Sequence, residues 1–208
     1  ACLGETCAAA ALFTGHAKLD GRLSVQLRGT GALKTLFAEC TAEGTLRGIA
    51  HYAEPLPEPL TPRAFGTGSV MAITIENLPP GGQEMLRYQG LVQLDADSLG
   101  VAFEDYFAQS EQLRTRVLLA ADGGRAAALM IQQLPEGHGD VDGWVRGSAL
   151  FETLGAAELL ATPDAVLVSE VKRGAPGATT LLFDRYSRHV QRLVRSLLGP
   201  ESESEDIM

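Results

Sequence analysis

Leu23, Val25 and Leu27 alternate with Arg22, Ser24, Gln26 and Arg28, which is the period of a strand with one face buried. "GTG" at 29–31 supplies a turn, and a second strand over 34–40 completes a hairpin. "TLRGIAHY" predicts a further strand. The proline cluster "EPLPEPLTP" behind it has few backbone donors to offer a ladder, so it reads as an extended connection. "GSVMAITIE" sets Met71, Ile73 and Ile75 on one face, and in "RYQGLVQLD" Tyr88, Val92 and Leu94 alternate with polar neighbours. Roughly five or six strands are in place by Leu94.

The period then changes. Asp97 is placed to cap a helix whose Leu99, Ala102, Phe103, Tyr106 and Phe107 fall at i, i+3, i+4, i+7 and i+8. "TRVLLAA" and "AALMIQQLP" follow as two strands across the turn "DGGR". Residues 2–14, rich in Ala and Leu, form a helix that opens without a cap, as though the chain began inside a fold. Strand, helix, strand, strand with antiparallel pairing predicts an α+β fold of packed, mostly antiparallel β-sheets with helices, followed by a helical linker layer, and not a parallel nucleotide-binding sheet. The expected organisation is an α+β core over 1–140, a helical linker over 141–171, and a C-terminal segment over 172–208. The linker holds "GWVRGSALFETL", "AAELLA" and a helix start at Thr162–Pro163. The last segment holds an amphipathic helix carrying Val190, Leu193, Val194, Leu197 and Leu198, then the acidic tail "ESESEDIM", expected to be disordered.

Composition narrows the function. The chain has 208 residues, 45% of them hydrophobic, enough for a buried core, and a net charge of -9, which argues against nucleic acid or anionic lipid as a partner. No apolar run is long enough to span a bilayer, and "CAAAALF" lacks the basic flank of a signal peptide, so the cytoplasm is the expected location. Cys2, Cys7 and Cys40 form no CxC or CxxC pair; on a helix Cys2 and Cys7 stand about 140° apart. His16, His51, His138 and His189 are scattered. Glu104, Asp105 and Glu111 could be imagined as an acid/base group, but their spacing reads better as a solvated acidic face. No nucleophile elbow or phosphate loop is present, and an enzyme centred on a groove near His16 and Asp20 lacks a motif to support it. Arg185, Arg188, Arg192 and Arg195 give the final helix a basic face that could meet an acidic partner or the tail.

"KLDGRLSVQLRGTGALKTLFAEC", "LRGIAHY", "RYQGLVQLDADSLGVAFEDYFAQSEQLRTRV", "AALMIQQLPE" and "AELLATP" occur in an order and spacing that resemble the heat shock protein 33 family of bacterial redox-regulated holdase chaperones. The resemblance implies a core of sheets and helices, a helical linker, and a small C-terminal zinc module held by cysteine thiolates in a CxC and a CxxC pair. Oxidation in that family releases the zinc, unfolds module and linker, and exposes apolar surface that captures unfolding proteins. This chain departs from the pattern. Asp184 and Tyr186, in "DRYSRHVQRLVRSLLGPE", stand where the first two cysteines are expected, and no CxxC follows. One carboxylate without thiolates is no structural zinc site, so no zinc is expected on this chain.

The expectation that follows is a non-enzymatic holdase that binds unfolded or partly unfolded proteins, as a homodimer, without a zinc–thiolate switch. Trp144, Leu150, Phe151 and Leu154 in the linker are the candidate client contacts, because an amphipathic layer that lifts off its support exposes such a face. The alternative is a dimeric interaction scaffold that keeps the fold without holding clients.

Overall fold

The structure is a computed structural model that describes residues 1–17, 19–77, 86–133 and 141–161. Its elements are α1 (Cys2–Ala17), β1 (Arg22–Arg28), β2 (Leu33–Thr41), β3 (Leu46–Tyr52), β4 (Val70–Asn77), β5 (Leu86–Gln93), α2 (Leu99–Tyr106), β6 (Thr115–Ala121), β7 (Ala126–Gln132), α3 (Val141–Glu152) and α4 (Ala156–Ala161). A five-stranded sheet runs in the order β3-β2-β1-β4-β5, and β6-β7 form a separate two-stranded sheet. Every pairing is antiparallel. The α+β expectation therefore holds.

Alternation along β1 sets the inner face. Leu23 stands between Cys40 and Ile75, Val25 between Ala38 and Ile73, and Leu27 between Leu36 and Met71, and all but Ile75 of these are buried. α1 lies on this face. A Cβ on Gly48 of β3 would fall 2.7 Å from the Cys7 sulfur, and one on Gly4 would fall 2.8 Å from Ala121 of β6. The helix is thus held between the large sheet and the hairpin, and its buried residues Cys2, Thr6, Ala9, Ala10, Phe13 and Thr14 fall at i, i+4, i+7, i+8, i+11 and i+12, one stripe along it. Its buried Thr6 and Thr14 hydroxyls donate to Cys2 O and Ala10 O, each at 2.7 Å, so both polar groups are satisfied within the helix.

α2 buries the whole stripe read from the sequence, Leu99, Ala102, Phe103 and Tyr106 with Phe107 after it. Phe13 of α1 meets Phe103 and Phe107 edge-on, at centroid distances of 4.9 and 5.1 Å. Two expectations are corrected here. The cap of α2 is Ser98, whose Oγ accepts from Val101 N at 3.3 Å; Asp97 turns away to accept from Arg63 Nε at 2.7 Å. Glu104 is no solvated acid either: its Oε1 accepts from Val117 N at 2.9 Å and its Oε2 from Arg116 Nη1 at 3.0 Å. α2 runs into a π-helical turn, Phe107–Glu111, closed by Gln112 in the left-handed region at φ 57°.

β6 and β7 meet as expected across "DGGR", where Asp122 Oδ1 accepts from Gly124 N and Arg125 N, both at 2.7 Å. α4 packs on this hairpin through buried Leu159. The final helix, the acidic tail, the helix start at Thr162–Pro163 and the arginines at 185, 188, 192 and 195 lie outside the described residues.

Candidate functional site

The outer face of the large sheet carries an unexpected row. Register aligns Ile49 of β3, Phe37 of β2, Gln26 of β1, Ala72 of β4 and Leu91 of β5 across all five strands, with Val70 beside Ala72 on the same face. α1 and α2 lie against the opposite face, and α3 and α4 pack against the hairpin. Ile49 is accordingly 49% exposed, Leu91 62% and Val70 39%.

One flank of this row is charged and tied down. Glu39 accepts from Arg47 Nη2 at 2.9 Å and faces Arg22 at 3.8 Å. Glu76 pairs with Arg22 and also faces Arg87 at 3.8 Å. Arg47 leans over the Phe37 ring, 5.9 Å from its centroid. Two carboxylates meet three guanidinium groups along this flank, while the row itself offers apolar side chains on either side of Gln26. Such a surface can receive apolar segments of varied sequence, because burial is non-directional and asks for no particular partner group.

The linker residues divide. Leu150 is 46% exposed and its helix neighbour Val145 61%, Trp144 and Leu154 are half-buried, and Phe151 is buried. Arg116 of β6 reaches both Glu104 of α2 and, at 3.4 Å, Glu152 of α3, so an ion-pair relay holds α3 to the core. Sequence reasoning found α3 and missed the outer row. Its signal was present in consecutive apolar residues, Leu36–Phe37–Ala38, Ile49–Ala50 and Leu91–Val92, since a strand with apolar side chains at both parities is apolar on both faces.

The remaining chemistry does not converge. His16 lines a cavity and its Nε2 lies 3.1 Å from Gln132 Oε1, whereas Asp20 is absent from that lining and its backbone N donates to Asn77 Oδ1 at 2.9 Å. The Cys2 thiol reaches Leu60 O, and the Cys40 thiol reaches Thr41 O, each at 3.5 Å; Cys7 sits beside Gly48. Burial raises the Cys2 thiol, helped by the nearby Glu5 carboxylate, and burial raises Cys7 as well. Among the described residues no group of three His, Cys, Asp or Glu is placed to hold a metal ion, so they do not fit a thiolate zinc centre. Asp184 and Tyr186 lie outside the described residues, as do His138 and His189. No described helix is long and apolar enough to cross a membrane.

Comparison with known proteins agrees with the fold. A 33 kDa chaperonin from Chromobacterium violaceum is 40% identical over 158 residues, covering 76% of this chain and 53% of that protein. One from Ectopseudomonas mendocina is 43% identical over 172 residues, covering 80% and 57%. The chain thus spans little more than half the length of these curated relatives. The crystal structure of the 33 kDa chaperonin (heat shock protein 33 homolog) of Thermotoga maritima superposes with a TM-score of 0.63 at 22% identity, over 84% of this chain and 62% of that one, a likeness of fold. A family model described as Hsp33 protein matches residues 1–183. With nearly the whole chain matched and its sheet, hairpin and helices in place, the chain belongs to the Hsp33 protein family.

Proposed function

We propose that this chain forms the core of a holdase chaperone, binding unfolding proteins through exposed apolar surface and keeping them from aggregating. The observation that carries this reading is the row Ile49, Phe37, Ala72 and Leu91, which crosses Gln26 at its centre, is exposed at both ends and, among the described residues, is covered by no helix packed on the sheet. α3 adds two further exposed apolar side chains, Val145 and Leu150, about 140° apart around the helix. Residues 141–171 act in this proposal as a linker layer: lifting α3 from β6 and β7 would break the Arg116–Glu152 contact and add Phe151, Trp144 and Leu154 to the capture surface. The protein works without turnover, as a cytoplasmic homodimer, with unfolded polypeptides rather than nucleic acid or membrane as partners. The supporting physics is the excess of negative charge together with an apolar row that demands no specific side chain from its partner.

Light scattering by a heat-unfolding client protein tests the proposal. Equimolar wild-type chain is expected to suppress the rise, and an Ile49→Thr/Leu91→Thr variant, with an unchanged unfolding midpoint, is expected to lose most of that protection. Leu150→Ser should lose less. Full protection by the double variant would remove the row from the function, and no protection by the wild type would favour the dimeric scaffold.

A further inference from the structure

On the far side of the sheet from the apolar row, a cavity of about 230 Å³ opens between α1, the inner face of β1 and β4, and the π-helical turn. Phe13, Leu23, Ile73, Phe107 and Leu113 supply apolar walls. Tyr106 also lines the cavity; it is 2% exposed, and its hydroxyl has no hydrogen-bond partner. Burial disfavours the phenolate, and Tyr88 and Glu111 beside the hydroxyl add to that, but neither is placed to close a well-formed hydrogen bond with it. A buried O–H left without an acceptor is rare in a folded protein and asks for an explanation.

The rest of the lining says which acceptor suits it. His16 Nε2 faces Gln132 Oε1, and Gln132 donates its amide to Thr115 Oγ1 at 3.0 Å. An amide oxygen only accepts, so the proton sits on His16 Nε2, and both side chains are engaged with each other at that side of the cavity. Glu111, exposed at the end of the π-helical turn, sets a negative charge at the lining, and among the described residues no Lys or Arg lines it to offset that charge. An anion is therefore disfavoured. The turn itself is a second pointer: π-helical turns are rare and frequent at functional sites, and this one, at the end of α2, carries both Phe107 and Glu111 to the cavity.

We infer that this cavity is a binding site for a small neutral molecule, an aromatic or short aliphatic body bearing one hydrogen-bond acceptor that Tyr106 meets. Size agrees, since dry apolar cavities of about 150 Å³ take up benzene, and this one has room for a ring and a short substituent. The site stands apart from the holdase reading, because no residue of the outer row lines it.

Three probes of similar shape decide the matter in methyl-resolved NMR titrations of the full chain: acetophenone, ethylbenzene and benzoate. Acetophenone is expected to give saturable shifts at the Leu23, Ile73 and Leu113 methyls and to bind more tightly than ethylbenzene, which lacks the acceptor, and than benzoate, which brings a charge. Tyr106→Phe is expected to weaken acetophenone roughly five- to tenfold, the usual worth of one hydrogen bond, while leaving ethylbenzene unchanged. Leu113→Phe, which fills the cavity, is expected to abolish both and serves as the test should Tyr106→Phe fail to fold. Shifts that never saturate at these methyls, equal affinity for the three probes, or binding untouched by the filling variant would overturn the inference.

Discussion

Gly90 shows how one missing side chain sets the position of a helix. A Cβ there would stand 2.5 Å from the Tyr106 ring and 3.1 Å from the Ser110 hydroxyl, so the glycine of "RYQG" is the place where α2 and its π-helical turn come down on β5. Gly90→Ala must displace the ring or lift the helix, and overpacking of this kind costs about 1–3 kcal/mol. The expected readout is a lowered midpoint in thermal unfolding with the far-ultraviolet circular dichroism of the folded protein unchanged. A wild-type midpoint would mean that the Tyr106 ring swings into the neighbouring cavity at no cost. The same cavity would then lose volume, and acetophenone affinity would fall even without a stability change.

Glu104 joins three elements: it stands on α2, receives the Val117 N–H of β6, and pairs with Arg116, which also reaches Glu152 of α3. Glu104→Ala leaves the Val117 N–H without its acceptor and Arg116 with Glu152 alone, and is expected to cost roughly 1–3 kcal/mol in denaturant unfolding. Glu104→Gln, which keeps an acceptor for Val117, should cost less; equal losses would show that the charge, not the backbone hydrogen bond, is what matters. This residue also marks where the sequence stops being legible. Strands β1 to β7, the hairpin at 122–125 and the buried stripe of α2 could all be read from period and turn chemistry, because each depends on neighbours in the chain. Glu104 reads as a surface acid until β6, twelve residues on, comes alongside it. Asp97 and Ser98 are both good caps by type, and the choice falls to Ser98 because Arg63, distant in sequence, claims Asp97. The outer row escaped for a related reason. Alternation reports one buried face per strand, and only the five-strand register shows that Ile49, Phe37, Ala72 and Leu91 line up on the other.

At the scale of the whole molecule the question is whether the three cysteines of this sequence govern the client capture proposed above. Among the described residues the three cysteines join no group of His, Cys, Asp or Glu placed to hold a metal ion. Oxidants act on the thiolate and need access to it. Cys2 and Cys40 are buried, and burial holds both Cys2 and Cys7 above the ordinary thiol range, so the reactive form of these two is scarce at neutral pH. The expected outcome is that a disulfide-exchange reagent titrates the native thiols far more slowly than those of the denaturant-unfolded chain, with the rate rising as denaturant opens the sandwich around α1. Brief peroxide treatment should then leave protection of a heat-unfolding client as it was in the reduced protein. Protection that appears only after peroxide, together with rapid loss of the three thiols, would instead make α1 the sensor: Cys2 and Cys7 lie on it and Cys40 on the strand it covers, and their oxidation would force the helix off the sheet face it shields.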